Sequence, residues 1–298
     1  MAYLVTAVFC AVVTAACSTG AILEKSVTAS DIAPEVATQT QNIQDERFDQ
    51  TYPLNLNGDV KAANINGSIK VTTWDSPQVR LIAVKTANNP EALKLVDIKV
   101  ESSADSFYVK ADYKKRSELG DQEWRSGDDL KVEFELTVPR TANLAGITTV
   151  NGDVSIEGSD GSTKASTVNG TVRAMNLGGA AKLTTVNGTV EADFDQLLQG
   201  SDIKMTTVNG QVILTLPSDA NATIKANSLS GSIENDFGLP VRKGEFIGRD
   251  MHGMLGSGDV QIKMSSVSGS LTVKRHNDGR APSQPTNLLK MKDDGDTY

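Results

Sequence analysis

A five-residue motif, VNGxV, recurs along the second half of the chain and constrains it to a repetitive fold. Full copies centre on Gly152, Gly170, Gly188 and Gly210, and looser copies centre on Gly67, Gly231 and Gly269. The first three full copies follow one another at intervals of 18 residues. A regular repeat of this length indicates that one structural unit is used several times along the chain.

Aligned on their glycine, nearly all copies have apolar residues at positions −7, −5, −2, +2 and +4. Around Gly188 these are Ala181, Leu183, Val186, Val190 and Ala192. Position −3 is Thr or Ser in six of the seven copies. Apolar residues two apart are typical of a β-strand with one buried face. The Asn-Gly pair between the two strands supplies the positive φ angles of a tight turn. The sequence therefore predicts an all-β fold.

We favour a β-solenoid, or parallel β-helix, in which Asn-Gly forms a corner and each copy stacks on the next. A second bend between positions −5 and −2 would turn all five apolar positions inward. Residues i and i+18 would then be neighbours between Gly152 and Gly188, and the valines at position −2 would form one buried column: Val150, Val168, Val186 and Val208. The turns would form a structural ladder of Asn151, Gly152, Asn169, Gly170, Asn187, Gly188, Asn209 and Gly210.

The alternative is an antiparallel meander or sandwich built from β-hairpins with two-residue loops. In such a hairpin, position −2 faces away from the other four apolar positions. The recurrent Val at position −2 and the even spacing of the motif favour the solenoid.

The chain divides into five predicted segments. They are a signal peptide at 1–17, a disordered linker at 18–47, an N-terminal β-rich region at 48–144 that caps the repeats, the solenoid at 145–275, and a disordered tail at 276–298. Both predicted disordered segments are rich in polar residues and lack a sustained strand or helix period. Residues 236–258 interrupt the repeat, and their positions relative to the motif cannot be assigned from the sequence.

The first 16 residues are apolar and too few to cross a bilayer as a helix. They are typical of a signal peptide. The segment Thr14-Ala15-Ala16-Cys17 resembles the lipobox of bacterial lipoproteins, which implies that Cys17 is lipidated and anchors the protein to a membrane. A soluble export signal cleaved near Ala15 or Ala16 is the alternative, because Thr14 stands where a branched apolar residue is usual.

The chain offers little that could carry catalysis or bind a metal. The formal net charge is −8, which argues against nucleic acid as a partner. The two histidines, His252 and His276, are interpreted as a loop residue and a tail residue. No nucleophile motif or metal-ligand spacing surrounds them, so we predict no catalytic residue, no cofactor and no metal. Trp74 is interpreted as core packing at the cap, with a glycan-stacking role as the alternative.

Several segments of the chain resemble a known family. These are the repeated TVNGxV units, the segment from Val71 to Val79, and Leu255 to Val260 ahead of the last copy. Together they resemble the bacterial putative-adhesin β-strand-repeat family, a domain of unknown function related to adhesin-head-like β-helical domains. The resemblance covers residues 52–274 and implies export and a β-helical fold.

Three functions are consistent with these observations. The first is an exported, lipid-anchored cell-envelope protein that acts as an adhesin-like binding or scaffold module and faces the periplasm or the cell surface. Its ligand would be an envelope protein or a glycan. The second is a structural or stress-linked envelope protein without a dedicated ligand. The third is a carbohydrate-active enzyme on a β-helix, which would need clustered acidic residues. We favour the first and predict that the protein is not an enzyme.

Overall fold

The computed structural model describes residues 44–114, 129–244 and 247–289. The predicted signal peptide and Cys17 lie outside these residues. The strands of the first half are β1 (Gln44–Pro53), β2 (Asp59–Ala63), β3 (Ile69–Trp74), β4 (Gln78–Ala87), β5 (Val96–Ser102), β6 (Ser106–Tyr113), β7 (Lys131–Pro139) and β8 (Asn143–Thr148). The one helix among the described residues, α1 (Pro90–Leu93), lies between β4 and β5 and is capped by the Asn89 side chain.

The strands of the second half come mainly from the motif copies. They are β9 (Val154–Glu157), β10 (Thr163–Ser166), β11 (Val172–Leu177), β12 (Ala181–Thr184), β13 (Val190–Phe194), β14 (Asp202–Asn209), β15 (Val212–Leu216), β16 (Ala222–Ser230), β17 (Ile233–Asn235), β18 (Val241–Lys243), β19 (Arg249–Leu255), β20 (Val260–Ser268), β21 (Leu271–Arg275) and β22 (Pro285–Asn287).

These strands form two facing sheets, and each motif copy gives one strand to each. Within the described residues, the ten-stranded sheet has the order β1-β4-β7-β3-β9-β11-β13-β15-β21-β17. The twelve-stranded sheet has the order β18-β19-β16-β20-β14-β12-β10-β8-β2-β6-β5, with β22 paired to β19. We call the two strands of one copy, with the Asn-Gly turn between them, a rung.

Neighbouring rungs pair in parallel and in register. Val172 pairs with Val154 on one side and with Val190 on the other, each 18 residues away in sequence. This confirms the β-solenoid and excludes the hairpin alternative, which would require antiparallel pairing across each Asn-Gly turn.

The rungs do not stack in the order of the sequence. The last copy, β20–β21, lies between β14–β15 and β16–β17. Between β17 and β20, strand β19 pairs antiparallel with the outer side of β16, and β18 pairs antiparallel with β19. The chain then returns inward, which accounts for the interruption of the repeat.

The predicted boundary at residues 144 and 145 does not separate two cores. Strands β2 and β3, from the looser copy around Gly67, already form a rung that pairs with β8 and β9. One hydrophobic core extends from Leu54 to Val273. Only the outer strands at this end are antiparallel: β1 pairs with β4, β4 with β7, and β5 with β6.

In most rungs four of the five apolar positions face this core, but position −2 does not. Around Gly188, the side chains of Leu183, Val190 and Ala192 are completely buried. The expected buried column at position −2 is wrong, because Val150, Val168 and Val208 are each 38% exposed and Val186 is 37% exposed.

The reason lies at position −3. The strand keeps its alternation through this position instead of bending, so Thr185 points inward and Val186 points outward. The buried Thr185 hydroxyl donates a hydrogen bond of 3.0 Å to the Gly170 carbonyl of the neighbouring rung. Equivalent bonds are made by Thr149, Thr167, Thr207 and Ser228. A buried hydroxyl with a partner carries little desolvation cost, so Thr occupies an inward position without penalty.

The glycine of the turn is required by the distance between rungs. Gly188 has a φ of +146°, and a Cβ built there would lie 2.1 Å from the Gly170 carbonyl oxygen. Gly146, in contrast, has nothing within 4 Å of such a Cβ. The backbones of successive turns are therefore in direct contact at one corner of the solenoid.

The described part of the expected tail, residues 276–289, contacts the solenoid. The Ser218 backbone N–H donates to the Asp278 carboxylate at 3.1 Å, and hydrogen bonds from Ser218 hold the pKa of Asp278 well below its usual range. Strand β22 pairs with β19. Polar composition alone suggested disorder here, but these polar side chains have specific partners.

Val186→Asp is expected to lower the free energy of unfolding by less than about 1 kcal/mol, because the side chain already faces solvent. Leu183→Asp, three residues earlier, would place a charge in the core and is expected to cost several kcal/mol. Urea denaturation of both variants measures the difference. Equal losses would contradict the alternation described here.

Gly188→Ala is expected to destabilise the protein by at least about 2 kcal/mol, because its Cβ meets backbone and its φ disfavours a side chain. Gly146→Ala serves as the matched control and should change stability by less than about 1 kcal/mol. Thermal melting compares the two, and a Gly188→Ala protein as stable as the control would show that the turns are not in close contact.

Candidate functional site

A column of lysines crosses the outer face of the twelve-stranded sheet. It is formed by position −6 of successive rungs, and its members in spatial order are Lys164, Lys182, Lys204, Lys263 and Lys225. All five side chains are exposed. Paired strands lie about 4.8 Å apart, so the lysine column is about 19 Å long. It places five positive charges in one straight line.

Both ends of the lysine column continue with related residues. At one end the register shifts in β8, where Ala145 and Gly146 lie opposite Lys164, and Gly146 pairs with Lys61 of the next rung. At the other end, His252 pairs with Lys225 across the antiparallel contact of β16 and β19. His252 is thus a strand residue beside the lysine column, and its interpretation as a loop residue is wrong.

No ion pair within the described residues involves any of the five lysines. The outer face of the ten-stranded sheet behaves differently: Arg173 and Glu191, neighbours in register there, form an ion pair of 2.8 Å. Like charges directly opposite each other on paired strands are destabilising. The five lysines therefore repel one another, and no carboxylate of the described residues forms an ion pair with them.

A shallow cleft of about 420 Å³ lies over the lysine column. Four of the lysines line it, together with small residues such as Ser162, Ala180 and Ala181. One carboxylate, that of Asp202, is also in the lining. The small residues at the edge of the sheet leave room beside the long lysine side chains, which gives this part of the face its concave shape.

Three further columns run parallel to the lysines. Position −4 forms a partly buried row of hydroxyls: Ser166, Thr184, Thr206 and Ser265. Position −2 forms the exposed apolar row described above. At position −1, each asparagine of the turn ladder donates from its side-chain amide to the preceding one, at 2.8 Å from Asn169 to Asn151, 3.0 Å from Asn187 to Asn169 and 2.9 Å from Asn209 to Asn187.

The structure thus brings the eight residues of the expected turn ladder together at one corner. Their amides are used in bonding to one another, and Gly152, Gly170, Gly188 and Gly210 are in contact with the neighbouring turns. These residues hold the corner of the solenoid. Because the turn amides already bond to one another, the lysine column is the part of this face with charged groups free to bind a ligand.

Sequence analysis missed the lysine column although its signal was present. Position −6 is lysine in six of the seven copies, the exception being Gly146. A lysine at an outward position leaves the apolar pattern of the motif unchanged, so it does not stand out beside that pattern. The net charge of −8 also conceals the lysines, because the acidic residues are distributed elsewhere on the chain.

His276, expected in a tail, packs against the outer face of the ten-stranded sheet. Its Nε2 lies 3.0 Å from Oδ1 of Asp193, and one ligand atom from each of Asp193, Asp195 and His276 lies within 4.8 Å of the others. Burial raises the pKa of the Asp193 carboxyl, although the histidine acts in the opposite direction. This contact ties the residues after β21 to β13.

Trp74, the aromatic residue singled out in the sequence, is partly buried at the end of β3. Its indole Nε1 donates to the Gln78 carbonyl at 2.8 Å. The bond holds the turn into β4 and uses the polar atom of the ring. The ring lies on the ten-stranded sheet, away from the lysine column.

The comparison with solved structures returned chains of low sequence identity. One is described as a "putative cell adhesion protein" from Clostridium sporogenes, with 13% identity, a TM-score of 0.45, and coverage of 78% of this chain and 100% of that one. Another is described as a "putative adhesin" from Bacteroides fragilis, with 15% identity, a TM-score of 0.36, and coverage of 78% and 97%. At these TM-scores the likenesses carry no functional argument.

A comparison with curated proteins returned no match. The model of one family does match, over residues 49–274, which include both sheets and all seven rungs. The chain belongs to the Toastrack DUF4097 family.

Proposed function

We propose that this protein is an exported, lipid-anchored component of the bacterial cell envelope that acts as an adhesin-like binding module. The outer face of the twelve-stranded sheet is its binding surface. The observation that carries the proposal is the lysine column, which is exposed, in register and without ion-pair partners among the described residues. A line of like charges without ion-pair partners attracts ligands of opposite charge and raises their local concentration.

The structural alternative, an envelope scaffold without a ligand, accounts for the stacked rungs but not for the lysines. Stacking requires the inward apolar positions, the Thr at position −3 and the turn glycine. It places no demand on position −6, which faces solvent. A binding role explains both the rigid stack and the charge that it presents.

A binding role without catalysis also fits the composition of the cleft. Glycoside hydrolysis by the common mechanisms uses two carboxyl groups on either side of the bond that is cleaved. Asp202 is the one carboxylate among the residues lining this cleft. Its neighbours there are lysines, hydroxyls and small apolar residues, which are suited to holding a ligand.

The anchor is proposed on the sequence of the N-terminus. Thr14-Ala15-Ala16-Cys17 resembles a lipobox, and the polar residues that follow would serve as a tether between the lipid and β1. Within the described ranges, no helix is both long enough and apolar enough to span a bilayer.

Cys17→Ala is expected to move the protein from the membrane fraction to the soluble fraction of the producing cells, because it removes the thiol that receives the lipid. Fractionation followed by mass spectrometry of the mature N-terminus measures both attachment and processing. An unmodified N-terminus after Ala15 or Ala16 in the unsubstituted protein would contradict the anchor.

The binding role is tested with the purified full chain and envelopes isolated from the producing bacterium. The unsubstituted protein is expected to bind, and the triple change Lys182→Gln, Lys204→Gln and Lys263→Gln should weaken binding about tenfold or more. The matched control changes Lys70, Lys131 and Lys274, exposed lysines of the ten-stranded sheet, to Gln. No envelope binding, or equal losses in the two triples, would contradict the proposal.

A further inference from the structure

We propose that the lysine column binds a linear acidic polysaccharide, with the sugar carboxylates lying along the line of ammonium groups. This inference rests on the proposed function, since it takes the outer face of the twelve-stranded sheet as the binding surface. It adds the chemical class of the ligand and the direction in which the ligand lies, which is across the strands.

The charge pattern indicates a polymer instead of a small anion. A single phosphate or carboxylate would need two or three donors converging on one point. Here the donors follow a straight line at intervals of about 4.8 Å, one from each rung. Only a ligand with repeated negative charges can interact with Lys164, Lys204 and Lys225 at once.

The shape of the site favours an extended chain over a membrane surface. A bilayer presents a broad, nearly flat array of headgroups, and the cleft of about 420 Å³ is concave where four of the five lysines lie. An extended polymer can enter the cleft and follow the lysine column. A flat surface would not follow the concave part of this face.

The neighbouring residues favour a sugar polymer over a nucleic acid. The row beside the lysines consists of hydroxyls that can exchange hydrogen bonds with sugar hydroxyls, among them Thr184 and Thr206. In the five rungs of the lysine column, positions −8, −6, −4 and −2 include no aromatic residue and no arginine. Proteins that bind single-stranded nucleic acids rely on aromatic stacking, and planar bidentate phosphate contacts are made by arginine.

The gap at Gly146 offers a way to strengthen the site instead of weakening it. Gly146 is the register partner of Lys61, and a Cβ there meets nothing within 4 Å. Gly146→Lys would therefore join Lys61 to Lys164 and create an unbroken column of seven lysines. A longer column should bind a long polyanion more tightly without altering the existing lysines.

The experiment measures the affinity of the purified full chain for polygalacturonate, a linear polymer of one acidic sugar, at 50 mM and 200 mM salt. Neutral dextran, single-stranded DNA and anionic phospholipid vesicles are compared with it. We expect binding to polygalacturonate and none to dextran. The triple Lys182→Gln, Lys204→Gln and Lys263→Gln should weaken binding about tenfold or more and reduce the salt dependence, because fewer counterions are released.

Two variants complete the test. Gly146→Lys should tighten binding about twofold or more, and the control triple at Lys70, Lys131 and Lys274 should change it less than about twofold. Thermal melting at low salt checks the fold: the column triple should melt no lower than the unsubstituted protein, because like-charge repulsion has been removed. If it melts lower, the single change Lys204→Gln replaces it, with an expected weakening of about twofold.

Equal losses in the two triples, or no gain with Gly146→Lys, would overturn the assignment to the lysine column. Tighter binding to DNA or to vesicles than to polygalacturonate would overturn the ligand class. Lysine-dependent binding to envelopes without binding to polygalacturonate would leave the proposed function standing and show this inference to be wrong.

Discussion

In five of the seven rungs, a hydrogen bond from the position −3 hydroxyl to the glycine carbonyl of a neighbouring rung stabilises the strand with this side chain turned inward. Thr185 is buried because the Gly170 carbonyl accepts its proton, and this holds the strand in regular alternation up to the turn. Positions −7 and −5 then face the core, and positions −6, −4 and −2 face solvent. A bend before position −2 would have reversed the last of these and removed the inward site that the hydroxyl occupies.

Register turns this local alternation into long-range order. Because equivalent residues of successive rungs are paired, any residue type that recurs at an outward position becomes a straight column on the surface. A helix or a loop with the same composition would scatter its charges. In the solenoid, residues that recur once per repeat in sequence therefore recur once per strand in space. The lysines at position −6 are consequently separated by the distance between neighbouring strands.

The fold class and the parallel register could be predicted from the sequence because they depend on periodicity, which the VNGxV motif displays directly, whereas the family was indicated by the resemblance of particular segments. The direction of position −2 could not, since an apolar Val is compatible with both a core and a surface and a polar Thr is usually exposed. Only the partner of the Thr185 hydroxyl, which belongs to another rung, decides between them. The order of the rungs was equally hidden, because nothing local to β20 specifies that it pairs with both β14 and β16.

The displaced last rung limits the order in which the solenoid can assemble. A solenoid whose rungs stack in sequence order can grow from one end, and losing its last repeat merely shortens it. Here β20–β21 follows the other six rungs in sequence but lies in the interior of both sheets. A chain that stops before residue 260 lacks a middle layer, so β14 and β16 have no common neighbour. The stack can close only after β20 and β21 are available, so its assembly cannot proceed by adding one repeat after another in sequence order.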